Sequence, residues 1–313
     1  MDDSSTYEDQ FGPVARRVQR VLRFVRWHAK GILGQRRSIL VETRWRLGDE
    51  IMALPIYGAL RQRYPNARIH ALCNHPDLLI NHPAVDTVND LNISSDHYIL
   101  LRGAPRDTHR LTHYAQRAGV RTPDVPPEIA LGDLSSPLES ELPTGKGLLI
   151  AVAVGASWPT KRWPKESWRD LCTRMNAAGH RIIELGQDDE AVGAGVNFVG
   201  LTSVRDAAVL LRYADALVCS DSGLMHLALA VGTPAVALFG PTDPSILIRD
   251  EPKFHVVTNG RDCGGCWNVS QAMQKPGVCP LNIECCLGTI TVDQVASMLE
   301  SVVSNLAADR DAG

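Results

Sequence analysis

The sequence predicts an α/β protein made of two Rossmann-like domains in series, and three observations carry that prediction. Residues 38–73 and residues 216–240 each read as strand, turn, helix, strand, the unit from which parallel sheets are built. Between them, residues 121–146 are rich in proline, serine and acid, the composition of an interdomain connection. At 313 residues the chain is long enough for two cores of ordinary size.

Residues 1–37 read as an arm. The first nine residues are acidic, whereas residues 13–37 carry eight Lys or Arg and no acid. Val14, Val18, Val21, Leu22 and Val25 recur at helical spacing, with Arg16, Arg17, Arg20, Arg23 and Arg26 in the other positions. Such a helix suits either of two places: an anionic membrane surface, or the protein's own surface with the valines packed inward. The N-terminal domain, residues 38–145, opens with the apolar strand Ser38 to Glu42. A loop, "TRWRLGDE", leads to a helix through Arg63 that Tyr64-Pro65-Asn66 stops, and Arg68 to Cys73 is the next strand. Short strands near residues 87–91 and 98–101 and a helix around residues 109–118 follow.

The C-terminal domain, residues 146–303, restarts with the unbroken apolar run Leu148 to Val154, the pattern of a strand covered on both faces. A loop, "GASWPTKR", then leads to a helix opened by Trp163-Pro164. "HRIIELG" is a strand and "VRDAAVLLRYA" a helix. Ala216 to Cys219, a strand, runs straight into Ser220-Asp221-Ser222-Gly223, residue types that favour helix starts, and an apolar helix follows. Gly232-Thr233-Pro234 ends that helix, and the strand Ala235 to Phe239 is closed by Gly240-Pro241. Ligands of parallel sheets sit beyond the carboxyl ends of the strands, and a helix N-terminus placed there favours an anion, above all a phosphate. Residues 304–313 read as a tail.

A net charge of −3 gives no global reason to expect nucleic acid as a partner. No stretch approaches 18 consecutive apolar residues, and the N-terminus lacks the apolar segment of a signal peptide, so the expected location is the cytoplasm, with the basic arm as the route to the inner membrane face. Cys73, Cys172 and Cys219 lie singly in apolar settings and read as buried hydrophobes. Cys263, Cys266, Cys279, Cys285 and Cys286 crowd into one loop that opens with a Cys-x2-Cys pair. Four of them, with Cys285 or Cys286 as the last, suit a structural zinc or iron site, but the second half is not a clean Cys-x2-Cys and free thiols remain open.

Gly48-Asp49, the stretch Pro55 to Ile69, "GASWPTKRWP", the block Asp221 to Pro244 and the cysteine loop before "VDQVASML" together resemble glycosyltransferase family 9, typified by ADP-heptose:lipopolysaccharide heptosyltransferases. The resemblance covers most of residues 38–303. It implies the GT-B fold, two Rossmann-like domains facing across a cleft, here with an abbreviated N-terminal domain. It also implies metal-independent transfer of a sugar from an ADP-linked donor to a glycan or glycolipid acceptor, as in lipopolysaccharide biosynthesis. Under that resemblance Asp49 matches the catalytic base, and the residue type equally suits a helix cap. Lys161 matches the phosphate-binding lysine. Asp221, Ser222 and Gly223 offer backbone N–H groups to the diphosphate, with the Asp221 carboxylate turned to the sugar or, alternatively, serving as an N-cap. His226, Thr242 and Asp243 border the same mouth, and Ser157 and Thr160 are candidate phosphate or ribose partners. A nucleotide-sugar epimerase on the same fold and a non-catalytic sugar-nucleotide-binding protein are the competing readings.

Overall fold

A computed structural model describes residues 7–130, 135–187, 190–249, 251–258, 260–269, 272–282 and 286–311, with side chains as far as residue 304. The chain divides into two compact units, residues 1–105 with 110–130, and residues 106–109 with 131–313.

The first unit holds helix α1 (Pro13–Ile32), strand β1 (Ser38–Glu42), helix α2 (Leu47–Arg63), strands β2 (Arg68–Leu72), β3 (Thr87–Val88) and β4 (His97–Leu100), and helix α3 (Arg110–Ala118). Its four strands are parallel in the order β3-β2-β1-β4. The order reverses between β1 and β4, so the loops leaving those strands border the sheet's switch point. Ile39, Leu40 and Val41 of β1 are fully buried, as are Ile51, Ile56 and Leu60 of α2 and Tyr114 of α3, and a strand buried throughout shows no polar alternation.

α1 sits on this unit in the opposite sense to an arm packed by valines. Its cations dock and its apolar side chains face outward. Arg23 is buried and paired with Glu8 at 2.8 Å, and Arg20 reaches the same carboxylate at 2.7 Å. Lys30 pairs with the buried Asp96 at 2.8 Å, and Asp96 also accepts the Ser38 N–H at 2.9 Å. The physical reason is the placement of those two buried carboxylates: each needs a cation, and the basic face of α1 supplies it.

The second unit holds β5 (Leu149–Ala153), α4 (Lys165–Ala177), β6 (Arg181–Glu184), β7 (Val196–Asn197), α5 (Val204–Tyr213), β8 (Ala216–Ser220), α6 (Gly223–Val231), β9 (Ala235–Phe239), β10 (Phe254–Thr258) and α7 (Val292–Asp311). Its parallel strands run β10-β9-β8-β5-β6-β7, the doubly wound dinucleotide-fold order with its switch point between β5 and β8. Trp168, Leu171 and Met175 of α4 and Val295, Leu299 and Val302 of α7 join the sheet in one core. α6 ends on Gly232, whose φ of 79° is the left-handed conformation that glycine adopts without strain. Among the described residues no helix is long and apolar enough to cross a membrane.

Candidate functional site

The loop after β5 and the turn after β8 leave neighbouring strands at the switch point, and each carries one partner of an ion pair. Lys161 Nζ lies 2.5 Å from Asp221 Oδ2, with both side chains nearly buried. The Thr242 hydroxyl, from the turn after β9, donates to the same carboxylate oxygen at 2.5 Å. On its other side the Lys161 ammonium lies 4.3 Å from the centre of the Trp158 ring. Three residues far apart in sequence are thus gathered at one sheet edge by strand order alone.

Burial by itself would push the Asp221 carboxyl up, but the Lys161 charge, the Lys161 and Thr242 hydrogen bonds and a smaller contribution from His226 outweigh it and hold the group below the usual carboxylate range. Asp221 is not the helix cap. Ser222 is the N-cap of α6, and its hydroxyl makes no cap hydrogen bond. The Asp221 N–H is also not available to a phosphate, because it donates to Leu238 O of β9 at 3.2 Å. That leaves the first turn of α6, from Ser222 and Gly223 onward, as the candidate anion-facing backbone. By contrast α5 closes its own N-terminus with a Ser203–Asp206 capping box. Among the described residues the hydroxyls of Thr160, in the β5 loop, and Ser222 find no hydrogen-bond partner, and Thr160 is 3% exposed. Unpartnered buried hydroxyls are uncommon in folded proteins, which marks these two as candidate ligand contacts. His226 is buried one turn into α6, while Ser157 is exposed in the β5 loop outside the Lys161–Asp221–Thr242 group. Asp243 caps the turn that follows it, accepting from the Ser245 N–H at 2.9 Å and hydroxyl at 2.8 Å, so its part is structural.

In the first unit Asp49 lies inside the first turn of α2, whose N-cap is Arg46, and so it does not cap the helix. Two side chains one turn apart on α3 grip it. Arg110 Nε stands 3.1 Å from Asp49 Oδ1, and the Tyr114 hydroxyl donates to the same oxygen at 3.2 Å. Burial first, then the Asp49 charge, raises Tyr114 well above its ordinary value, so this phenol stays a donor. The neighbouring Glu50 has a different task that its sequence position did not signal. Fully buried, it accepts the N–H groups of Trp45, Asn74 and His75 and the His75 ring nitrogen, tying the loop after β1 to the loop after β2.

The cysteine loop folds onto the β5 loop. Trp267 meets Trp158 edge-on with ring centres 5.1 Å apart, and Arg106 stacks on Trp267 at 3.6 Å. Arg106 further donates to Met273 O at 2.8 Å. Burial, then the neighbouring Cys263 and Cys279, raises the Cys266 thiol. Cys285 lies outside the described residues, and among the described residues no group of three or more Cys, His, Asp or Glu side chains is arranged to hold a metal ion. The thiol donors suit zinc or iron in kind, but the described ones do not form its cage. Cys73, Cys172 and Cys219 are buried, and burial pushes the Cys73 and Cys172 thiols up to about 12.

The sequence pattern described as "Glycosyltransferase family 9 (heptosyltransferase)" matches residues 106–275, more than half of the chain. The chain belongs to glycosyltransferase family 9. Lipooligosaccharide heptosyltransferase 2 of Haemophilus influenzae is 35% identical over 115 residues, which are 32% of this chain and 33% of that protein. A Burkholderia thailandensis protein named inactive autotransporter heptosyltransferase BimC is 28% identical over 211 residues, 62% of this chain and 47% of its own length. The chain therefore spans about a third to a half of the curated relatives it matches. Among solved structures, the bacterial iron-containing dodecameric glycosyltransferase TibC of enterotoxigenic E. coli H10407 superposes with a TM-score of 0.73 at 19% identity, over 87% of this chain and 77% of that one. At that identity the likeness speaks for the fold, which is GT-B.

The depressed Asp221 carboxyl makes a stability prediction with a definite sign. A group whose folded pKa lies below its unfolded value of ~4 stabilises above that value and loses its contribution as pH falls through the folded pKa. Asp221→Asn is expected to be less stable than wild type at pH 7, with the gap in urea midpoint closing below pH ~4. A gap that is independent of pH would show that the carboxylate charge does not hold this site.

Proposed function

We propose that the protein is an inverting glycosyltransferase that moves a sugar, by family likeness a heptose, from an ADP-linked donor to a hydroxyl of a cell-envelope glycan or glycolipid. The observation that carries this reading is the Lys161–Asp221 pair at the β5/β8 switch point, with the Thr160 hydroxyl of the β5 loop and the Ser222 hydroxyl of the α6 N-cap both lacking a partner among the described residues. The TibC neighbour has been solved with ADP-D-β-D-heptose, which supports an ADP-linked donor here. Such a donor argues for the cytoplasmic side of the envelope.

Lys161 and the first-turn N–H groups of α6 neutralise the diphosphate, whose negative charge grows as the glycosidic bond to it breaks. As the ammonium turns to the phosphate, the Asp221 carboxylate exchanges Lys161 for sugar hydroxyls, and charge-assisted hydrogen bonds make that exchange favourable. Asp49 takes the proton of the acceptor hydroxyl as its oxygen attacks the anomeric carbon from the side opposite the leaving ADP, so the configuration inverts. Arg110 and Tyr114 fix the direction of that carboxylate. The Cys263–Cys286 loop is in this reading a structural element that binds zinc or iron through thiolates, with the metal outside the chemistry.

A second reading, a sugar-nucleotide-binding protein without transfer, is favoured by one observation. Arg110 and Tyr114 both engage Asp49 Oδ1, so a substrate hydroxyl must share or displace contacts that the carboxylate already makes. Asp49→Asn separates the two. Transfer to an envelope-extract acceptor, followed by mass spectrometry, should fall by roughly 10²–10⁴-fold while ADP affinity stays unchanged. Wild-type protein that binds ADP-sugar yet yields no product with any acceptor fraction would establish the second reading instead. Elemental analysis of the purified chain should find near-stoichiometric zinc or iron, and a metal-free, fully folded protein with titratable thiols would refute the metal assignment.

A further inference from the structure

We propose that Trp267, in the cysteine loop, is a positioning residue for Lys161 and thereby sets the protein's affinity for a diphosphate. The inference rests on the donor reading of the Lys161–Asp221 pair. In that reading the ammonium leaves the carboxylate when phosphate arrives, so another contact has to keep it in place during the exchange. The Trp158 ring, whose centre is 4.3 Å from the ammonium, demands no particular direction of its N–H bonds and holds the cation through that change of partner. Trp158 is itself only half-buried, in a loop between the exposed Ser157 and Pro159. Its place is fixed from outside that loop.

Both halves of the cysteine loop do the fixing. The Trp267 ring meets Trp158 edge-on, with centres 5.1 Å apart and planes at 72°. Gly277, whose φ of 76° is left-handed, comes so close that a side chain there would stand 3.3 Å from Trp158 Cβ and 3.4 Å from Pro159 Cδ. Trp267 is held in turn. Its backbone N–H donates to Pro241 O at 2.8 Å, and the Arg106 guanidinium lies 3.6 Å over the centre of its ring. Residues 106–109 belong with the second unit, and Arg106 is fastened there: it donates to Met273 O at 2.8 Å, and its carbonyl accepts from the side-chain amide of the buried Asn268 at 2.5 Å. The oxygen of that amide accepts the Asp243 N–H at 2.9 Å, next in the chain to the Thr242 that donates to Asp221. Arg106, Trp267, Trp158 and Lys161 thus form one stack of cation, indole, indole and cation, tied at its far end to the turn after β9. The stack ends on the ammonium, so a change at Trp267 is felt at Lys161.

The test is a double-mutant cycle of Trp267→Ala with Lys161→Ala in the full chain, read as ADP affinity by calorimetric titration. Trp267→Ala alone is expected to weaken ADP roughly three- to tenfold, the scale of one lost aromatic contact. Trp267→Phe keeps an aromatic ring at the position and should stay within about twofold of wild type. In a Lys161→Ala protein the same Trp267→Ala change should alter ADP affinity by less than about twofold, because the lysine through which it acts is gone. Trp267→Leu refills much of the space without an aromatic face, and it takes the place of the alanine variant in the cycle if that one loses its cooperative melt. Additive losses in the cycle, or folded alanine and leucine variants that bind ADP as tightly as wild type, overturn the inference and leave the donor reading standing. Wild-type protein that binds no ADP overturns the donor reading and takes the inference with it.

Discussion

The contact between Lys161 and Asp221, 2.5 Å across the switch point of the larger sheet, is the constraint on which the rest of the proposed donor site depends. A nearly buried pair of this kind gives back much of its attraction as desolvation, so net stability is a weak reason for its presence. Its effect is orientation. The carboxylate holds the ammonium at the carboxyl edge of β5 and β8, and Trp158 limits it from the other side. Trp267 supports Trp158, and Arg106 stacks behind Trp267. The fold of the cysteine loop thus reaches Lys161 through two indole rings, which gives that loop a structural reason to exist.

Buried carboxylates organise both units in the same way. Glu184 accepts the N–H groups of Val192, Gly193, Ala194 and Gly195, closing the segment that leads into β7. Glu50 gathers two loops around the start of α2, and Asp96 and Glu8 fasten α1. In each case a charge is taken from water only where several N–H donors or a cation replace the lost hydration. Asp49, beside Glu50 in sequence, is held instead by two α3 side chains. That arrangement keeps its direction fixed and suits a group that must meet a substrate hydroxyl.

The sheet-forming runs were legible because β1, β5, β8 and β9 are covered on both faces and therefore read as unbroken apolar stretches. β10 escaped notice because Phe254 to Val256 are only half-buried at the sheet edge, where the apolar demand is weak. The apolar period of α1 identified its two faces but not which one docks, since that is decided by Glu8 and Asp96, remote from much of the helix in sequence. Asp221 was legible as a polar residue at a helix start, yet the engagement of its N–H depends on β8 and β9 register, where it meets Leu238 O. Local pattern carries no information on such register. Arg110, Tyr114 and Trp267 act entirely through tertiary contact, and no spacing in the sequence announced them.

The central claim is that the α6 N-terminus and Lys161 receive a diphosphate, whereas Asp221 reads the sugar attached to it. Calorimetric titration of Lys161→Ala and Asp221→Ala with ADP and with ADP-heptose compares the four affinities directly. Lys161→Ala should weaken both ligands, by roughly 1.5–3 kcal/mol for a lost charge-assisted hydrogen bond. Asp221→Ala should weaken ADP-heptose alone and leave ADP unchanged or tighter, because Lys161 is then released from its carboxylate partner. Equal loss of ADP and ADP-heptose in Asp221→Ala would contradict the account and make the aspartate only a support for the fold of the site.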